Sequence, residues 1–364
     1  MVLHRYFATR FLLSFLAVFT IFFAMLWSLD LIEQVRRFGK VNATLGEMIG
    51  LTFLNVPQTI YRILPLIMII AAIALFLALA RSSEMVVTRA AGRSALRALW
   101  APVIGALVIG CLAVGLFNPI VAATSKEYEA RAGALTGESR VLALSDNGIW
   151  LRQGSDLGQS VIHAELANLD GTVLTGVTFM TFAPDGTPSQ RIEAAVAQLT
   201  GGAWTVTQAK VWPLAGSTNP EADALTHAVV TIPSSLTPDQ IRNSFGTPSS
   251  IPIWELPGFI DRLQAAGFTA RRHQVFFQGE LASPVFLIAM VLIAAGFTLR
   301  HQRGGRTGIM VLGAILLSFG AYFLRNFAQI LGETGQIPVL LAAWAPPLAA
   351  IGLSLGLLLH MEDG

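Results

Sequence analysis

Apolar positions in this chain gather into six long runs, three before and three after one polar block. Residues 11–29, 63–80, 98–125, 281–299, 307–324 and 334–360 contain no Asp, Glu, Lys or Arg. A helix needs about 20 mainly apolar residues to cross the hydrocarbon of a bilayer. Lipid offers the backbone no hydrogen-bond partners, so each crossing segment must satisfy its own as a helix. The pattern predicts six transmembrane helices, in residues 1–125 and 281–364, around an extramembrane domain at 126–280. Composition agrees: 13% of residues are charged and the mean hydropathy is +0.62. A soluble core would account for one or two such runs, not six. The first run is long and aromatic, with no small-residue cleavage site close behind it. It therefore reads as an uncleaved helix and not a signal peptide.

Loop charge supplies a direction. Arg5 and Arg10 precede the first run without an acid, and Arg81, Arg89, Arg93 and Arg97 stand against Glu84 between the second and third. Three arginines and no acid lie between the fourth and fifth. These short segments share one side if the helices alternate, and basic short loops stay cytoplasmic. Both termini are then cytoplasmic and the polar block, with 10 basic and 15 acidic residues, is outside. Arg36, Arg37, Lys40 and Arg62 oppose this weakly.

The outer block reads as β. Residues 172–182 are rich in Thr, Val and Phe and stop at Pro184-Asp185-Gly186, a strong turn signal. Residues 191–199 close on Gly201-Gly202, and 204–212 alternate, with Trp204, Val206 and Gln208 on one face. Shorter candidates lie at 148–152, 160–166 and 225–232. Short strands separated by turns point to an all-β sandwich or a jelly-roll-like domain. Residues 255–266 follow as an amphipathic helix with Leu256, Phe259, Ile260 and Leu263 on one side. The only cysteine, Cys111, falls inside the third run, so no internal disulfide is available and Cys111 reads as a small packing residue.

Chemistry-bearing motifs are missing from the sequence. His163, His227 and His273 are scattered, and no H-E-x-x-H, C-x-x-C, G-x-S-x-G or G-x-x-x-x-G-K-[ST] pattern occurs. The chain is not expected to be an enzyme or to hydrolyse nucleotide by itself. The sharpest local signal is the basic loop after the second run. Ser82 or Ser83 can cap a helix, Glu84 suits the positive end of its dipole, and Gly92 can end it. A short helix near 82–93 results. It is either a turn that orients the hairpin or a coupling helix that enters a partner's groove.

At this point the chain resembles a known family. ALFLALARSSEMVVTRAAGRS (residues 74–94), WELPGFIDRLQAAGFTARRHQVFFQGELASP before the fourth run, and the three-helix, β-domain, three-helix order are similar to the LptF/LptG lipopolysaccharide-export permeases. The likeness extends over essentially the whole chain. Residues 147–153 and 337–347 lean towards the LptG side of the family. The resemblance implies an ABC-transporter permease paired with an LptF-like permease around a lipid cavity. It further implies an LptB-like ATPase dimer that binds ATP and Mg, an LptC-like membrane protein and an LptA-like periplasmic bridge. This chain itself would hold no cofactor and bind no nucleic acid. Glu84, Met85, Arg89 and Gly92 would meet the ATPase.

Lipopolysaccharide carries phosphates, which arginine recognises well. Arg36, Arg37 and Lys40 after the first run, and Arg325 after the fifth, are candidate phosphate contacts. A solvated interfacial charge cluster is the competing reading for the first three. Arg325 faces either lipid phosphate or Glu333, or else snorkels to the interface. Phe22, Leu26, Ile63, Leu316, Phe319 and Phe323 are candidate acyl-chain contacts. Asp30 and Glu280 depart from the family pattern, in which basic residues are frequent at those places. Three other readings stay open: an LptF-type partner subunit, a permease of this architecture for another lipid, and a membrane-anchored adaptor whose β domain binds a partner.

Overall fold

The computed structural model describes residues 2–39, 43–82, 95–136, 142–145, 148–155, 158–168, 171–234, 236, 241, 247–265, 269–298 and 307–362. Six helical segments among them are long and apolar enough to span a membrane. They are α1 (Val2–Phe38), α2 (Leu45–Arg81), α3 (Ala95–Leu112) continued by α4 (Asn118–Thr136), α6 (Arg271–Thr298), α7 (Thr307–Glu333) and α8 (Val339–Glu362). A π-helical turn, Ala113–Phe117, joins α3 to α4. The short α5 (Leu256–Ala265) precedes α6.

The helices overrun their uncharged cores. Arg36 and Arg37 lie in the last turn of α1, and Arg62 lies within α2 rather than in a loop. Likewise α4 runs on to Thr136 and α6 begins at Arg271. A charge marks where hydrocarbon ends, but it does not break a helix. The polar domain therefore starts later and stops earlier than the boundaries expected at 126 and 280. The chain divides into a membrane unit (Met1–Thr136, Pro248–Leu256, Arg271–Gly364) and a β unit (Gly137–Thr247, Pro257–Ala270).

In the membrane unit α2 and α6 form the centre. Ile67, Met68, Phe76, Phe286, Met290 and Ala294 are fully buried, joined by Phe7 and Phe11 of α1. Gly110 of α3 meets the backbone of Pro284, where an added Cβ would stand 2.6 Å from the Pro284 Cα. Small residues permit such backbone approach, which drives helix packing in lipid. Cys111, expected in the core, is exposed on α3. Within a bilayer both faces of a helix are apolar, so a small apolar residue does not reveal its direction.

The β unit is an antiparallel sheet of seven strands: β1 (Leu142–Ser145), β2 (Gly148–Ser155), β3 (Gly158–Ala167), β4 (Val173–Phe182), β5 (Pro188–Thr200), β6 (Ala203–Pro213) and β7 (Leu225–Pro233). β1 had no counterpart among the strands expected from sequence. The all-β expectation holds, but the strand order is β1 to β7 in sequence, without the crossed connections of a jelly roll among the described strands. Short turns explain this. The link at Ala183–Thr187, where Asp185 accepts from the Thr187 N–H, leaves no length for a crossover.

Alternation breaks along one line across this sheet. Gly176 and Gln208 take positive φ, 63° and 55°, and both are skipped by the ladder pairs around them. The buried positions step by three there: Ala164 to Ala167, Leu174 to Val177, and Val206 to Ala209. Gln208, expected to share a face with Trp204 and Val206, is exposed instead. A left-handed residue rotates the pleat and hands the next side chain to the other face. Glycine suits Gly176, since a Cβ there would lie 2.7 Å from the Glu165 carboxylate.

Candidate functional site

The charged and polar side chains of the membrane unit converge in two places, one near the end of the bundle where α1 stops and α2 starts, the other deeper, close to the middle of α2. The first ties α1, α2 and α4. Asp30 accepts from Asn55 Nδ2 at 2.6 Å and from Gln34 Nε2 at 3.2 Å. Gln34, only 2% exposed, also donates to the Tyr128 hydroxyl at 3.2 Å. Arg37 reaches the same hydroxyl at 3.5 Å from an exposed position. Arg36 is exposed and paired with Glu33 of its own helix at 2.8 Å. Such a surface pair contributes little and is easily exchanged for another anion. Asp30 thus ties α1 to α2, and Gln34 beside it ties α1 to α4, while the two arginines beyond keep donors at the surface.

The second place joins α2, α4, α6 and α7. The Tyr61 hydroxyl donates to the Glu280 carboxylate, which is buried. Asn118, at the start of α4, lies in hydrogen-bonding reach of both. Arg325 of α7 donates to the Gly279 carbonyl at 3.3 Å, and its guanidinium stands 5.0 Å from the centre of the Phe286 ring. Glu333, proposed above as a partner for Arg325, accepts from Gln329 instead. Arg325 is half-buried, so some of its five donors remain free for a further acceptor.

The remaining residues singled out from sequence are placed as follows. Phe22, Leu26 and Ile63 are partly buried against the central core. Leu316, Phe319 and Phe323 are 61%, 59% and 64% exposed on α7, in one apolar stripe with Phe327, whose ring stacks on Phe323. The structure therefore splits the six candidates between the packed interior and an uncovered face. Ser82 closes α2, its N–H and hydroxyl both bonding Ala78 O. Glu84, Met85, Arg89, Gly92 and Lys40 lie outside the described residues, as does the expected helix near 82–93. The Tyr61–Glu280–Asn118 cluster was not read from sequence. A usable signal was there: Asn118 is a strongly polar side chain inside an uncharged run, and such residues face protein partners.

With six spans and a β domain inserted between the third and fourth, one comparison decides the family. Residues 5–360 match the family described as Lipopolysaccharide export system permease LptF/LptG. The chain belongs to this family. It is 26% identical over 341 residues to the lipopolysaccharide export system permease protein LptG of Haemophilus influenzae, covering 91% of each chain. It is 25% identical over 318 residues to the protein of the same name from Escherichia coli K12, covering 85% of this chain and 84% of that one. Membership in the LptF/LptG family and six apolar helices make it a multi-pass membrane permease subunit. The basic residues expected of the family at Asp30 and Glu280 are here acids engaged in helix-to-helix hydrogen bonds.

Proposed function

We propose that this chain is the LptG-type permease subunit of an ABC transporter that extracts lipopolysaccharide from the inner membrane and passes it to a periplasmic bridge. The relatives above bear the LptG name, and the chain lacks a nucleotide motif, so ATP and Mg bind a partner LptB-like ATPase. The arrangement of basic loops supports cytoplasmic termini and a periplasmic β domain. LptC-like and LptA-like proteins then receive the lipid.

Coverage of the helices is the observation that supports a two-permease assembly. Only 6% of the most apolar stretch of α1 and 11% of that of α7 is buried, against 61% for α2 and 72% for α6. Those two helices are left to meet lipid and an LptF-like partner. The substrate contacts divide by chemistry. Arg36, Arg37, Lys40 and Arg325 take the phosphates, and Phe22, Leu26, Ile63, Leu316, Phe319 and Phe323 take the acyl chains. Glu84, Met85, Arg89 and Gly92 form the contact with the ATPase.

Two measurements test this reading. In a pull-down from native membranes, Glu84→Arg is expected to lower recovery of the ATPase at least about tenfold, as reversal of a docked charge costs several kcal/mol. Insertion and recovery of the second permease should not change. Normal ATPase recovery and normal transport would remove Glu84 from the contact. In the second, Arg36→Gln with Arg37→Gln should reduce photocrosslinking of lipopolysaccharide to α1. Undiminished crosslinking would make the two arginines a solvated cluster without a lipid role.

A further inference from the structure

The chain enters the membrane unit twice on its way back from the β unit. Residues on both sides of Pro248–Leu256 belong to the β unit, yet this segment itself packs as part of the membrane unit. It works as a stitch. A 3-10 turn, Pro248–Ser250, lies against α4. Three hydrogen bonds then fasten the stitch to helices: Gln58 Nε2 donates to Ser249 Oγ at 3.0 Å, the Ile253 N–H donates to Asn118 Oδ1 at 3.0 Å, and Trp254 Nε1 donates to the Gly115 carbonyl at 3.2 Å.

Two of the groups that receive the stitch lie in the π turn and directly after it, the Gly115 carbonyl and the Asn118 side chain. In the Ala113–Phe117 turn the Asn118 N–H bonds the Ala113 carbonyl, five residues back. That wider spacing displaces the ladder by one residue and frees a carbonyl for an outside donor. The turn also places Asn118, 2% exposed, between the stitch and the Tyr61–Glu280 pair. Its Oδ1 is taken by Ile253, so its NH2 is the side left for the Glu280 carboxylate. Two hydrogen bonds therefore stand side by side, Tyr61 of α2 to Glu280 of α6 and Ile253 of the stitch to Asn118 of α4, with Asn118 in reach of the Glu280 carboxylate between them. The Tyr61 ring is further held by Phe117 of the π turn, with centroids 6.0 Å apart.

Such a cluster makes its members move together. A carboxyl group in apolar surroundings is costly without donors, so separation of Tyr61 or Asn118 from Glu280 is strongly opposed. α2 is one unbroken helix from Leu45 to Arg81, and its far end runs directly into the loop that carries Glu84. We propose that Glu280 is the positioning residue of a latch that carries the displacement of α2 to the stitch Pro248–Leu256, linking ATP turnover at the cytoplasmic loop to lipid release at the β unit. This rests on the transport reading given above. Glu280 acts through Tyr61 and Asn118 and touches no substrate.

The test uses the whole complex, this chain with its partner permease and ATPase, in proteoliposomes loaded with lipopolysaccharide. Three quantities are read: complex recovered, ATP hydrolysed, and lipopolysaccharide released per ATP. Glu280→Leu should keep recovery and hydrolysis near the wild type and lower release per ATP roughly tenfold or more, the scale of a lost hydrogen bond to a charged group. Glu280→Gln, which still offers Tyr61 an acceptor, should restore most of it. Tyr61→Phe keeps the ring against Phe117 and should lower release per ATP in the same direction. Combined with Glu280→Leu it should add nothing, because the two residues form one link.

Unchanged release per ATP in Tyr61→Phe and Glu280→Leu overturns the latch. So does a fall in release that only tracks a fall in recovered complex, which would make the cluster a packing feature. Should Glu280→Leu not assemble, the milder Tyr61→Phe decides alone. A wild-type complex that releases no lipopolysaccharide with ATP overturns the transport reading, and the latch with it. Wild-type release with unaffected variants overturns the latch only.

Discussion

Trp204→Ala is expected to destabilise the β unit by about 3–5 kcal/mol, the usual cost of truncating a large buried aromatic. Trp204 is fully buried and pairs across β6 and β7 with Ile232, while on β5 it faces Leu199. Its ring meets Phe179 of β4 edge-on, with centroids 6.3 Å apart. Removal leaves a void that neighbouring β strands, tied by their ladders, cannot close. A small domain holds only about 5–15 kcal/mol in total, so a large share would be lost. The measurement is protease protection of the β unit in the full-length protein across a urea series. Trp204→Phe keeps the aromatic contact with Phe179 and should lose clearly less. Equal midpoints for wild type and Trp204→Ala would mean that Trp204 does not anchor this core.

Gly110→Ala should cost the membrane unit about 1–3 kcal/mol, the ordinary range for overpacking, and sit at the upper end of it. The added methyl would come within 2.6 Å of Pro284 Cα and 2.8 Å of its Cβ. Backbone atoms cannot rotate aside as a side chain would, so α3 and α6 must part. Their separation loosens α6, the most covered helix of the bundle. Gly352→Ala is the matched control, because nothing lies within 4 Å of its added Cβ. There the change should be neutral or gain up to about 1 kcal/mol from lower unfolded-state freedom. Thermal loss of the monodisperse peak in size-exclusion chromatography compares the two. If they melt together, α3 and α6 do not touch at Gly110.

The elements were largely legible in the sequence because their signals are local. Uncharged runs of bilayer length mark six helices, and Pro184-Asp185-Gly186 and Gly201-Gly202 mark hairpins that bound β4, β5 and β6. Helix ends were less legible. Arg36, Arg37, Arg62 and Arg271 all sit inside helices, because solvation of a charge limits depth in lipid and not helical geometry. Facing directions were not legible either. Cys111 points out and Leu316, Phe319 and Phe323 stay uncovered, while Phe22, Leu26 and Ile63 lean on the core. Lipid and protein interior are equally apolar, so periodicity cannot distinguish them. In the β unit, strict alternation misplaced Gln208, since a positive φ is a backbone choice that its side chain does not announce.

Sequence by itself determined the three-plus-three architecture, the antiparallel β character of the inserted domain and the absence of a nucleotide motif. Each follows from local hydropathy, turn chemistry or short motifs. Tertiary structure alone decided that Asp30 and Glu280 are internal ties, that Arg325 turns towards α6, and that the stitch Pro248–Leu256 lies in the membrane unit. Those facts join residues far apart in the chain, Tyr61 with Glu280 and Asn118 with Ile253. Only packing brings such pairs together, and in an apolar interior the cost of an unpaired polar group then holds them there.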